Sequence, residues 1–169
     1  MIITERTGYS AEEGVGHFAE AIDGQFKAAA AITSGDTCCI SALATEESKP
    51  IVTVTSAGTT ATKHLIMGAY QGIGGRGSDN TTSGSPGGKD ALSGDIIYVR
   101  MHGIATTLVD GDTTDVAAND CLMMKNGATG TLIIAVAAAS NVAGSHYNAV
   151  ALEANTGAAA FKKVYFRCV

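Results

Sequence analysis

The chain has 169 residues, a formal net charge of −5, 21 glycines, two prolines and no tryptophan. Its lysines and arginines form no cluster, and an acidic chain without a basic stripe lacks the charges that neutralise phosphates, so we expect no nucleic-acid partner. No apolar run approaches the ~20 residues that cross a bilayer, so we expect no membrane partner.

The first 24 residues differ from the remainder. Ser10 to Glu13 matches a capping box, in which the two side chains satisfy each other's backbone amides at a helix start. Gly14 and Gly16 oppose a helix. Apolar residues nevertheless follow at helical spacing, namely Val15, Phe18, Ala19 and Ile22. We therefore predict an N-terminal arm or short helix over residues 1–24.

From residue 25 to 169 the pattern predicts a single β domain. Short runs rich in β-branched and aromatic residues alternate with turn signals, which is typical of a sandwich or barrel. We predict a mainly β fold, a small antiparallel β-barrel or sandwich. The candidate strands are Phe26–Ile32, Thr37–Ala44, Ile51–Ser56, Lys63–Tyr70, Asp95–Met101, Ile104–Val109, Cys121–Met124, Thr131–Val136, Asn148–Glu153 and Lys163–Cys168.

One turn signal occurs three times, each time directly before an apolar run. Ser34–Asp36 and Ser93–Asp95 both read Ser-Gly-Asp, and Ala118–Asp120 reads Ala-Asn-Asp. Gly and Asn tolerate a positive φ, so each segment is expected to form a tight turn that leads into a strand. Asn126-Gly127 is a separate hairpin signal.

A long Gly/Ser-rich segment, residues 71–92, is predicted to be a flexible loop. It is either a plain surface loop or a segment ordered against a neighbouring subunit. Gly72–Gly77 matches the dinucleotide pattern G-x-G-x-x-G, but the residues after it cannot open a helix, so we expect no cofactor there. The acidic run Asp110–Asp115 lacks the spacing of a helix–loop–helix calcium site and is expected to be a plain turn.

No motif assembles a catalytic or metal site, so we expect neither an enzyme nor a cofactor. The four histidines lie far apart, and no G-x-S-x-G nucleophile motif occurs. An enzyme on this scaffold would have to combine scattered groups such as Asp95, His102 and Cys121. The N-terminus lacks the basic and apolar regions of a signal peptide, which predicts a cytosolic chain with reduced thiols. The cysteines are therefore expected to be small buried apolar residues: Cys38, Cys39, Cys121 and Cys168.

Several segments together resemble the phage capsid decoration, or cement, proteins, which have a β-tulip or β-clip-like barrel. In that family a Gly-Asp turn and strand are followed by Gly-Val/Ile-Ala and a second strand, then a Gly-Asp-Leu-like element and an Ala-Leu-Glu strand. Asn119-Asp120 replaces the usual Gly-Asp, and the 71–92 loop is longer than is typical. The matching segments are Ala29–Asp36, Ser93–Val99, His102–Ala105, Val116–Leu122 and Tyr147–Ala154.

The resemblance implies a homotrimer on the outer surface of an icosahedral phage head, assembled in the host cytoplasm, that bridges major capsid proteins. The alternatives are another virion component, such as a tail-tube or minor capsid protein, or an enzyme on a β-barrel scaffold. Apolar residues of the N-terminal segment suit an extended contact with a partner, and an arginine lies in the long loop. The candidate capsid or subunit contacts are Ile2, Ile3, Tyr9, Phe18 and Arg76.

Overall fold

A computed structural model of the chain describes residues 4–6, 21–59, 66–135 and 148–167. These residues form strands and no helix, which confirms the mainly β fold. The described part of the chain thus has no helix that could span a bilayer. The strands are β1 (Thr4–Arg6), β2 (Ala21–Ala28), β3 (Thr37–Glu46), β4 (Lys49–Thr55), β5 (Ile66–Tyr70), β6 (Ile96–Val109), β7 (Cys121–Met124), β8 (Thr131–Ile134), β9 (Ala149–Ala151) and β10 (Ala160–Arg167).

Strand pairing closes two five-stranded barrels that share the long strand β6. Barrel A consists of β2, β4, β3, β5 and the first half of β6, which returns to β2. Barrel B consists of the second half of β6, then β10, β9, β7 and β8, which returns to β6. Closure removes the open sheet edges that invite aggregation.

The two barrels have the same topology. In each, the first and third strands are parallel (β2–β4 and β6–β8), while the other four pairings are antiparallel. The prediction of a small antiparallel barrel or sandwich therefore needs correction at these two pairings. The register of β3 on β4 also corresponds to that of β7 on β8. Ile40 pairs with Val54 in barrel A, and Met124 pairs with Leu132 at the equivalent positions of barrel B. The chain therefore contains an internal structural repeat that overlaps on β6.

The strand β6 passes from one barrel to the other without a break. We predicted two strands, Asp95–Met101 and Ile104–Val109, and the structure shows one strand over Ile96–Val109. Its odd-numbered residues are buried throughout, in the core of barrel A up to Met101 and in that of barrel B from Ala105. Gly103, between them, has a φ of 95°. A glycine thus takes the left-handed φ at the junction, where the sequence suggested an end of the strand.

Each barrel has its own apolar core, and adjacent cysteines of β3 contribute to both. Cys38 packs in the core of barrel A and Cys39 in the core of barrel B, because successive side chains of a strand point to opposite faces. Both are buried, as predicted. Cys121 is exposed at the start of β7, so that prediction is wrong. Cys168 lies outside the described residues.

The repeated turn forms three times with one geometry: Thr33–Asp36, Leu92–Asp95 and Ala117–Asp120. The third residue of each has a positive φ, of 98°, 88° and 76° respectively, which confirms the prediction. The aspartate backbone N–H donates to the carbonyl of the first residue at 2.9, 3.1 and 3.3 Å. Its carboxylate accepts from the first residue's backbone N–H at 3.0, 2.8 and 2.7 Å. The aspartate thus closes its own turn with two hydrogen bonds, one donated by its backbone N–H and one accepted by its carboxylate.

Every copy of this turn is also bonded to the last residue of a neighbouring strand. The third residue of the turn donates its backbone N–H to that strand end, and the strand end donates its own N–H to the carbonyl of the aspartate, at 2.7–3.0 Å. The strand ends are Tyr70, Ala28 and Ala151. Each turn therefore sets where the following strand begins and which strand it joins.

The strand β2 begins and ends earlier than the strand predicted in this region. Ala21–Gly24, assigned above to the N-terminal segment, belong to β2, and the predicted strand Phe26–Ile32 ends at Ala28. Asp23 faces Arg100 of β6 and forms an ion pair with it, a partner that local propensity does not reveal. Residues 7–20, which carry most of the predicted helix, lie outside the described residues. The division at residue 24 stays a prediction.

Candidate interaction surface

The repeat shows where barrel A carries extra structure. Ile40 and Val54 are joined by 13 residues in barrel A, whereas Met124 and Leu132, at the equivalent positions of barrel B, are joined by seven. The β3–β4 hairpin is therefore six residues longer than its counterpart. We call residues 40–52 the hairpin extension.

The hairpin extension exposes apolar side chains. Leu43 is 71% exposed and Ile40 is 40% exposed, although both lie on a regular strand. Leu43 pairs with Val52, which packs against the core of barrel A, and Thr45 pairs with Pro50 further out on the same face. The core-facing side of the hairpin therefore continues past the barrel into solvent. Leu43, on this projection, is the most exposed of the large apolar side chains in the described residues.

A bulge in β3 shapes the base of the hairpin extension. The register shifts between Ile40 and Ala42, and the hydroxyl of Thr53 on β4 bonds to both backbone groups of Ala42. It accepts from the Ala42 N–H at 2.9 Å and donates to the Ala42 carbonyl at 3.0 Å. One buried side chain thus replaces two hydrogen bonds of the regular ladder.

We expect Thr53→Val to destabilise the protein by about 2 kcal/mol, because the isosteric valine leaves both Ala42 backbone groups without this partner. Urea unfolding measures the change. Thr55→Val is a suitable control, because its hydroxyl accepts only an exposed bond from the Ala57 amide, at 3.2 Å. An equal loss in both variants would contradict the role of Thr53.

The tip of the hairpin is a two-residue turn in which neither residue is glycine. Glu47 and Ser48 have φ values of 45° and 64°, the left-handed region that Asn-Gly occupies best. We expect the double variant Glu47→Asn, Ser48→Gly to raise the free energy of unfolding by about 1 kcal/mol, measured in urea. No change or a loss would contradict the strain in this turn.

The second addition to barrel A is the 71–92 loop. Tyr70 and Ala91 are joined by 20 residues, whereas Ala151 and Asn155, which make the equivalent backbone bonds in barrel B, are joined by three. The loop folds back on its own barrel. The buried Tyr70 hydroxyl donates to the Lys89 carbonyl at 2.6 Å and accepts from the Gly75 N–H at 3.0 Å. Burial raises the pKa of Tyr70 to about 12, so this hydroxyl stays protonated.

Further bonds tie the loop to two of the repeated turns. The Asn80 side chain donates to the Ser34 carbonyl at 2.8 Å, and Ser34 donates its N–H to Asp90 at 2.9 Å. The Arg76 backbone N–H and its Nε donate to Asp95 at 2.9 and 2.6 Å. We therefore replace the prediction of a flexible loop with a loop held on barrel A by its own chain.

Of the five predicted contact residues, the structure places one. The Arg76 side chain is 73% exposed while its Nε is paired with Asp95, so its outer nitrogens face solvent. Its role in a contact stays a prediction. Ile2, Ile3, Tyr9 and Phe18 lie outside the described residues. Sequence reasoning missed Leu43; the signal was the charged, proline-containing tip that follows it, Glu46–Pro50.

The groups named for a possible enzyme do not share one site. Asp95 and His102 lie seven residues apart on or beside β6, about 20 Å at the rise of a strand. The His102 Nε2 lies 3.1 Å from the Tyr165 hydroxyl, and its Nδ1 is buried with no hydrogen-bond partner in the described structure. Cys121 is exposed on barrel B. Within the described ranges, no three His, Cys, Asp or Glu residues are grouped as a metal site.

The acidic run at 110–115 is organised internally. The Asp110 carboxylate pairs with Lys125 and accepts from the Asp112 N–H at 2.9 Å. The hydrogen bond from Lys125 and that from Asp112 hold the pKa of Asp110 below its usual value. Lys125 thus supplies the positive charge that compensates this carboxylate.

Comparison with known proteins gives a similarity of structure. No family model matches the chain. No curated protein matches it. Among solved structures, the chain is similar to the N-terminal base of the head fiber protein gp8.5 of bacteriophage phi29, with 16% sequence identity and a TM-score of 0.41. The match covers 87% of this chain and 94% of that chain.

Proposed function

We propose that this protein is a structural component of a phage virion, specifically a decoration protein that stabilises the head by bridging major capsid proteins on its outer surface. The observation that carries the proposal is the hairpin extension, an apolar projection present on one barrel and absent from its twin. The sequence resemblance to decoration proteins supports the same role, since its Gly-Asp segments are those that build the repeated turns.

A contact role also agrees with how the polar groups are used. Asp95 and Asp110 are paired with other groups of the same chain, and the His102 Nε2 lies within hydrogen-bond distance of Tyr165. Because these polar groups stabilise the protein's own structure, we propose that the protein acts through its surface. It would do so by adding buried area between partners. About 800 Å² per partner is the size of a specific interface.

The proposed assembly is a homotrimer. Three copies of one chain would present three hairpin extensions to the capsid at once, and linked contacts raise avidity without strong individual contacts. The N-terminal residues Ile2, Ile3, Tyr9 and Phe18 are proposed as a further contact. The mass of the purified protein in solution tests the trimer directly, and a stable monomer would contradict it.

Leu43→Glu is expected to weaken binding to heads that lack the protein by at least tenfold, because a charge replaces an apolar side chain at the centre of the contact (roughly 1.4 kcal/mol or more). Co-sedimentation with heads measures it. Since Leu43 is 71% exposed, stability should change by less than about 0.5 kcal/mol.

Leu152→Glu is the matched control, because Leu152 is also an exposed leucine but lies beyond β9 in barrel B. It should bind as the wild type does. Full binding by the Leu43 variant, or equal losses in both variants, would contradict the role of the hairpin extension.

The role in the virion is tested by electron microscopy of heads with and without the protein. We expect density on the outer surface between capsid subunits, and heads without the protein should break at lower temperature and in low salt. Localisation to the tail, or equal resistance of both kinds of head, would overturn the proposal.

A further inference from the structure

The two barrels meet along a seam that lies beside one of the three repeated turns. The Thr37 N–H of barrel A donates to the Gly130 carbonyl at 3.0 Å, and the Gly130 N–H donates to the Ser56 carbonyl at 2.7 Å. The Gly58 N–H donates to the Ala128 carbonyl at 3.0 Å. We define the seam as Thr37, residues 56–58 and residues 127–130. Its bonds join the start of β3 and the end of β4 to the β7–β8 turn.

The Asp36 carboxyl is enclosed by this seam. The residue is 4% exposed, and its carboxylate accepts from the Thr33 N–H at 3.0 Å and from the Ser56 hydroxyl. Gly130 lies so close that a Cβ there would overlap the Asp36 Oδ1. The carboxyl therefore contacts barrel B through the same glycine whose backbone carries two seam bonds.

The equivalent aspartates of the other two turns have different surroundings. Asp95 is paired with Arg76, and Asp120 is only partly buried. Asp36 is paired with no lysine or arginine in the described part of the chain. Of the three copies, it is the one that buries its carboxylate without a compensating cation.

The titratable groups that face Asp36 add no positive charge. Asp90, from the 71–92 loop, contributes a second negative charge, Cys38 of β3 is a buried thiol, and the Tyr70 hydroxyl of β5 bonds to the loop. Burial, reinforced by the charge of Asp90, raises the pKa of Asp36 to about 6 despite its hydrogen bonds from Thr33 and Ser56.

We propose that the Asp36 carboxyl is a pH-responsive latch between the two barrels, which holds the seam more tightly when protonated than when ionised. Between its ordinary pKa of 3.8 and about 6, the folded protein binds the proton and the opened seam does not. The stabilisation is therefore complete below about pH 4 and is lost as the pH rises through 6.

Hydrogen exchange of seam amides tests this proposal. After correction for intrinsic exchange, opening at Thr37 and Gly130 should be about tenfold less favourable at pH 5 than at pH 7.5, from a pKa change between 3.8 and about 6. The Gly94 amide, bonded to Ala28 within the Asp95 turn, is the internal reference and should change less. The carboxyl carbon shift of Asp36 should titrate near pH 6 in the wild type.

Matched variants separate the latch from general acid effects. Asp36→Asn mimics the protonated carboxyl, so its seam amides should be protected at pH 7.5 as the wild type is at pH 5, with no further pH dependence. Asp120→Asn, in the same turn away from the seam, should retain the wild-type response. Asp90→Asn removes the neighbouring negative charge and should move the midpoint to lower pH.

The proposal is overturned if seam exchange in the wild type is independent of pH, or if Asp36→Asn keeps the same pH dependence. Should Asp36→Asn fail to fold, the wild-type carboxyl titration and the Asp90→Asn midpoint still decide the outcome. A titration of Asp36 near its ordinary value would contradict the latch.

Discussion

Gly68→Ala is expected to lower the free energy of unfolding by about 3 kcal/mol or more. Gly68 lies within β5 at a φ of 140°, and a Cβ there would overlap the backbone carbonyl of Arg100 on β6. Backbone atoms of a shared central strand cannot move aside without disturbing both barrels. The substitution therefore combines a strained backbone conformation with a clash. Guanidinium unfolding followed by circular dichroism measures the loss.

Gly127→Ala provides the control for this prediction. Gly127 also has a positive φ, of 74°, but a Cβ there meets no atom within 4 Å. The free energy of unfolding should therefore fall by about 1–2 kcal/mol, because alanine disfavours this φ. If Gly68→Ala were no more destabilising than Gly127→Ala, the close approach of β5 and β6 would be ruled out.

Asp95→Asn is expected to cost about 2–3 kcal/mol at neutral pH. Asp95 is 2% exposed, and its carboxylate accepts three hydrogen bonds, from the Leu92 N–H and from the backbone N–H and Nε of Arg76. The asparagine amide group cannot accept bonds in place of one carboxylate oxygen, so at least one buried donor loses its partner. The Arg76 side chain is largely exposed, so the ion pair itself contributes little and the hydrogen bonds dominate.

The pH dependence of Asp95 has the opposite sign to that of Asp36. Although burial raises its pKa, the bonds from Leu92 and Arg76 outweigh burial and hold the pKa of Asp95 below the usual 3.8. The folded carboxylate releases its proton more readily than the unfolded one, so this stabilisation is present above about pH 4 and is lost as the pH falls below it.

Urea titrations between pH 2.5 and 7 measure the acid response of Asp95. The wild type should lose stability at the acid end, whereas Asp95→Asn should lose less. Asp120→Asn is the control, since it alters the same turn at a partly exposed position and should cost about 1 kcal/mol or less. Equal costs for the two substitutions would contradict the importance of the Arg76 bonds.

Features set by neighbouring residues were predictable from the sequence. Two Ser-Gly-Asp segments and one Ala-Asn-Asp segment predicted three positive-φ turns before strands, and the hairpin at Asn126-Gly127 forms between β7 and β8. Alternation along a strand also accounts for the opposite sides that the adjacent Cys38 and Cys39 face. Each of these depends on the φ preference of one residue or on the two-residue period of a strand, and both act over a few residues.

The candidate surface was less predictable. Ile40 and Leu43 read as ordinary strand residues, and the comparison with Met124 and Leu132 in barrel B shows that their hairpin is longer than the barrel requires. The 71–92 loop read as flexible because its composition is rich in Gly and Ser. Ser34, which bonds to Asn80 and Asp90 of the loop, lies far away in the sequence and is met only on folding.

The sequence by itself determined the strand-rich class, the three repeated turns and the alternation of buried residues, since each follows from local backbone preferences. Only the tertiary structure decided that β6 is shared by two barrels and that β2–β4 and β6–β8 pair in parallel. It also decided that Asp36, in the seam, has no lysine or arginine partner among the described residues, while Asp95 has Arg76. The physical reason is that strand pairing and charge compensation join groups far apart in the chain. Local propensity carries no information about which distant partner each group will find.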